Sequence, residues 1–141
     1  MLPSVVDDFK RTYGENKNLR KVQLLKDLNN IVAGLDSQSF CAKTLLSDRA
    51  LRNIKSYKTE KFEFKTLAAI FIAFGVTLEQ AERLFHLAGY HLNDSPFHCV
   101  VRFSLENNLS IDDADELLFL ITQKHFYQDR KYHDREKSQN L

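Results

Sequence analysis

Tryptophan is absent, methionine occurs once, and no apolar run approaches the roughly 20 residues that span a bilayer. No membrane association is therefore expected. The first residues lack the apolar core of a secretory signal, which points to a cytoplasmic protein. Cysteine is limited to Cys41 and Cys99, without a framework spacing and each within an apolar helical pattern. Buried reduced thiols are expected there rather than a disulfide. No H-x-x-x-H or C-x-x-C pair occurs among the cysteines and the five histidines His86, His91, His98, His125 and His133, so no metal site is predicted. The chain also lacks G-x-G-x-x-G, a P-loop and G-x-S-x-G. No cofactor and no enzyme activity are expected. Two prolines and four glycines in 141 residues leave long stretches free to be helical.

What is present fits an ordinary globule, with 43% apolar and 28% charged residues. The net charge is only +1, but it is unevenly spread. Residues 1–60 hold eleven Lys/Arg against seven Asp/Glu, a balance of +4, and the remainder balances at −3. Seven bases and three acids fall within 40–65. That basic zone is compatible with a local phosphate-binding face on a neutral protein. Glu106, Asp112, Asp113, Asp115 and Glu116 are the acidic counterpart, read as a solvated face and a complement to a helix dipole.

Helical spacing runs along the chain. Val5, Val6, Phe9 and Tyr13 predict a short helix over 4–13, which Gly14 and the polar run after it should break. Leu25, Leu28, Val32 and Leu35 predict a second helix from about Asn18 to Ala33, ended by Gly34. Leu67, Ile70, Phe71 and Phe74 lie at i, i+3, i+4, i+7 and predict a helix over 66–74, ended by Gly75. Thr77 and Gln80 form a capping-box start for a helix buried through Ala81, Leu84, Phe85 and Ala88 and closed by Gly89. Ser95-Pro96 starts another, with Phe97, Val100, Val101 and Leu105 inward. Ser110 and Asp113 start the last, with Ile111, Ala114, Leu117, Leu118 and Ile121 inward. Three of four glycines fall at predicted helix ends, and the fold class is all-α. Tyr90 is expected to pack and Tyr57 to be exposed. The charged tail from Tyr127 shows no apolar period and is expected to be frayed.

Ser37 to Lys58 is the stretch that points to a function. It reads as two short helices joined by a tight turn. The first carries Phe40, Cys41 and Thr44 inward. The second opens at Ser47, whose hydroxyl can accept from the amides of the next turn. Ala50, Leu51 and Ile54 share one side of it, and Asp48, Arg49, Arg52, Asn53 and Lys55 the other. Arginine can bind guanine bidentately, asparagine adenine, and lysine a phosphate. An amphipathic helix with a charged outer face is also the ordinary state of soluble proteins. The residues alone leave both readings open.

The run from Phe40 to Ala81 resembles the lambda-repressor-like (Cro/repressor-type, XRE-like) helix-turn-helix family. Cys41 stands at its small residue in the second helix, Leu46 at the aliphatic before the recognition helix, Leu51 and Ile54 at the aliphatics within it, and Phe74-Gly75-Val76 at its leucine-glycine-valine-like end. The part from Thr77 to Phe119 is similar to a C-terminal extension of some bacterial regulators, with Ala88-Gly89-Tyr90 as its most specific element. The chain departs from the family at Leu45 and Tyr57, where glycine is usual, and at Ser37, where glutamine is usual.

The resemblance implies a multi-helix bundle containing a repressor-type helix-turn-helix. Its parts would be a short N-terminal helix over 1–17, a five-helix domain over 18–90, a C-terminal extension over 91–126 and the tail 127–141. It also implies a sequence-specific regulator of transcription that binds double-stranded DNA. Ser47, Asp48, Arg49, Arg52 and Asn53 would face base edges, and Ser37, Gln38, Lys43, Lys55 and Lys58 would meet phosphates. Asp48 is best read as an i, i+4 partner that orients Arg52. A homodimer or a protein partner is expected through the C-terminal helices. The alternative is a protein-interaction module, antitoxin-like or a phage accessory protein, with a degenerate helix-turn-helix.

Overall fold

The computed structural model describes residues 2–57 and 61–127. Among them are seven α-helices and no strand: α1 (Leu2–Ile31), α2 (Ser37–Thr44), α3 (Asp48–Lys55), α4 (Phe64–Ala73), α5 (Leu78–Leu87), α6 (Pro96–Glu106) and α7 (Ile111–Thr122). Lys58, His133 and all of the tail beyond Tyr127 lie outside the described residues.

The body is assembled around α4. Every residue from Leu67 to Ile72 is buried, on all sides of the helix, because α4 packs against α2, α5, α6 and α7. Phe40 of α2, Phe85 of α5, Val101 of α6 and Leu118 of α7 complete that core. The predicted caps account for the helix starts. Thr77 accepts from the Gln80 amide at 3.2 Å, Ser110 from Asp113 at 3.1 Å and Ser95 from His98 at 3.5 Å. Gly75, at φ +66, lets the chain turn off α4 in the left-handed conformation that residues with a side chain adopt at a cost.

Several expectations need correction. The helix predicted over 4–13 and the one predicted from Asn18 are one continuous helix, and Gly14 does not break it. A helical glycine costs only about 1 kcal/mol, and nothing in Glu15, Asn16, Lys17 or Asn18 removes a backbone donor. Cys99 is exposed rather than buried, although both thiols are free. Its place on α6 falls outside the buried Val100–Val101–Leu105 side. Ile121 is exposed near the end of α7, at the border of a groove with Phe64, Pro96 and Phe97 rather than in the core. Tyr127 is buried, not frayed.

That last correction has a local cause. Asp115, which composition placed in a solvated acidic cluster, is only 6% exposed. Its carboxylate accepts from the Phe126 amide at 2.9 Å and lies 2.7 Å from His125 Nδ1. The His125 ring stacks between Phe119 and Tyr127. Asp115 thus fastens the segment after α7 back onto the body, with Phe126 in the core.

Candidate nucleic-acid interface

The sequence from Phe40 to Ile54 folds into two helices because the turn between them is saturated with local bonds. Leu45 closes α2 at φ +63, and its amide donates to Cys41 O at 2.9 Å. The Thr44 hydroxyl donates to Phe40 O and accepts from the Leu46 amide. Leu45 and Leu46 are both buried, so the side chains that make this turn costly are also the ones that anchor it. Asp36 caps α2 from the Ser39 amide at 2.8 Å, and that bond holds its carboxyl below the usual value. Tyr57, just past α3, is the second left-handed residue, at φ +54. Leu45 and Tyr57 are the two positions in this stretch where glycine would sit most easily.

α3 is fixed from behind. Leu51 and Ile54 are in the core, and Asn29 Nδ2 on α1 donates to both Leu25 O and Ile54 O at 2.8 Å. Ser47 has the extended backbone of an N-cap but makes no side-chain cap bond, contrary to its expected role. The helix begins with one fewer satisfied amide than predicted.

The outward residues divide into two groups. Arg49 and Asn53, with Ser47, border a groove of about 440 Å³ whose other walls include Lys61, Lys65 and Tyr127. Arg49 is exposed and pairs with no acid among the described residues. On the adjoining flank Asp48 and Arg52 form the expected i, i+4 pair at 3.5 Å, with Arg52 exposed and Asp48 half-buried. A surface pair of that kind contributes only about 0.3–0.5 kcal/mol, so Arg52 can leave it at small cost.

The residues expected to meet phosphates are less uniform. Ser37 and Gln38 are exposed in the first turn of α2. Lys55 is exposed, but its ammonium donates to Leu35 O at 2.7 Å. Lys43 extends over the Phe74 ring at 5.3 Å, toward the end of α4 rather than toward α3. Lys61 and Lys65, two of the seven bases within 40–65, line the same groove as Arg49. Their only sequence signal was charge density. Lys65 has Glu63 at 3.6 Å, and Lys61 lies over the Tyr90 ring. Tyr90 itself donates to Phe62 O at 2.6 Å, which ties the groove's wall to the end of α5. Burial raises its phenol above the ordinary value.

In chemical terms this is a short, rigidly held helix presenting two guanidiniums, an amide and a hydroxyl, beside a groove with two lysines and one carboxylate. It can donate hydrogen bonds to acceptor-rich surfaces, and it contains no nucleophile–base pair. Set against models of protein families, curated proteins and solved structures, the chain matches none of them.

Proposed function

We propose that this chain is a cytoplasmic, sequence-specific DNA-binding regulator that inserts α3 into the major groove. Arg49 and Arg52 would read base edges, Asn53 and Ser47 would assist them, and Asp48 would orient Arg52. The observation that carries the proposal is the exposed Arg49/Arg52 pair on a helix whose opposite side is locked into the core. The left-handed backbone at Leu45 and Tyr57 adds support, since both stand where the repressor-type family usually has glycine. Lys61 and Lys65 join Lys55 as candidate phosphate contacts.

Retention of random duplex pools tests it. Salt-sensitive binding at submicromolar protein is expected, because phosphate contacts release counterions. Replacing Arg49→Ala and Arg52→Ala together should remove sequence preference, at about 1–3 kcal/mol for each lost base contact, and leave the melting temperature unchanged. A folded sample that retains no DNA at low salt overturns the proposal.

A second function has its own observation. Phe103 on α6 and Phe119, Leu120 and Ile121 on α7 are each exposed, which leaves apolar side chains on these helices for a protein contact. With a net charge of +1, a protein-interaction module remains the alternative, and folded chain without DNA retention would favour it.

A further inference from the structure

Residues 2–21 of α1 include no buried residue, whereas the same helix is firmly packed from Leu24 onward. The bare half is not polar. Leu2, Val5, Val6, Phe9 and Tyr13 recur at i, i+3, i+4, i+7 and i+11, which places them on one side. Leu2 is 74%, Phe9 67% and Tyr13 57% exposed, and the two rings stack on each other at 5.9 Å. About five turns of isolated helix, with a glycine inside, are marginal in water. An apolar stripe is what a partner helix would cover.

We propose that this half of α1 is a self-association surface, on which a second copy of the chain packs as a parallel two-helix coil through Leu2, Val6, Phe9 and Tyr13. The charges beside the stripe fit a second copy and set its direction. Lys10 and Lys17 lie along one edge, with Lys21 and Asp7 outside them for a net positive side, and Asp8 and Glu15 lie beyond the other. Two parallel copies bring the basic edge of each toward the acidic edge of the other, whereas antiparallel copies bring like charges together. Asp8 already has Arg11 at 2.9 Å, while Glu15 has no ion pair among the described residues. An anionic membrane is the competing occupant, since residues 2–21 hold five bases against three acids, and vesicle sedimentation tells the two apart. Covering the stripe in both copies removes on the order of 1,000 Å² from water, the lower bound of a specific interface. Past Tyr13 the seam turns polar at Asn16 and Arg20, which sets the length of the contact.

Sedimentation of the full chain without DNA tests this. A concentration-dependent dimer is expected, and Val6→Glu with Phe9→Glu should weaken it at least tenfold while leaving the melting of the body unchanged. In a Cys41→Ser, Cys99→Ser background, Tyr13→Cys should cross-link to itself on oxidation, and Ser4→Cys, on the opposite side, should not. A monomer at every concentration overturns the proposal, as does a dimer indifferent to the two glutamates or a monomer that sediments with anionic vesicles. A dimer in which Tyr13→Cys fails to cross-link overturns the parallel arrangement. Arg49→Ala with Arg52→Ala should leave the dimer intact, so failure here and failure of DNA binding are separable.

Discussion

The two halves of α1 each carry an apolar side, and their surroundings are opposite. From Leu24 to Val32 the apolar residues face α3 and α5, with Asn29 bonded to Ile54 O and Asp27 lying 3.6 Å from Arg83. From Leu2 to Lys21 no residue is buried, although Tyr13, Lys17, Arg20 and Lys21 border a groove with Phe62, Leu87 and Gly89 of the body. Periodicity alone cannot separate the two cases, because it records which residues share a side and not whether anything meets that side. The packed half therefore belongs to the body's cooperative unit, and the bare half does not.

Truncations should expose that contrast most sharply. Phe71→Ala, in the centre of the core, should cost about 3–5 kcal/mol of global stability. Phe9→Ala should cost the monomer under about 0.5 kcal/mol. Denaturant melts of both variants measure this, and similar losses would mean that the arm folds with the body. Next in size, Asp115→Ala leaves the Phe126 amide unpaired and should cost about 1–3 kcal/mol. Hydrogen exchange at Phe126 should rise with it, while exchange in residues 5–17 stays constant.

Gly14→Ala acts on the arm alone. No atom lies within 4 Å of the added carbon, and the gain in helix propensity is about 1 kcal/mol. Exchange should slow several-fold in the arm and not in α4. The smallest effect concerns pH. His98 stacks on Phe64 at 4.1 Å and accepts from the Asn93 amide through Nδ1. Burial, with Arg102 nearby, lowers its pKa below the ordinary 6.5. The unfolded chain therefore takes up the proton first, and stability should decline as pH falls through about 6.5 and level off below the folded-state pKa. His98→Gln should flatten that part of the profile. An unchanged profile would show that the imidazole does not discriminate between the two states.

The fold was largely legible in the sequence because its helix boundaries are set locally. Thr77, Ser95 and Ser110 are caps whose partners lie three residues on, and Gly34, Gly75 and Gly89 all take left-handed φ. What was missed depends on tertiary partners. Gly14 reads as a stop until the cost of one helical glycine is weighed against thirty continuous residues. Asp115 looks like its neighbours Asp112 and Asp113 until the chain returns after α7 to present His125 and the Phe126 amide. In the candidate interface, the outward side of α3 followed from spacing. The groove beside it did not, because Lys61, Lys65 and Tyr127 reach it from separate parts of the chain.

Asn29 joins these regions mechanically. Its side chain holds the C-terminal end of α3 to a rod about 45 Å long, at 1.5 Å for each of thirty residues. A partner that covers and stiffens the free end of that rod gains a continuous helical route to the arginine-bearing helix, and one amide is the rivet between them.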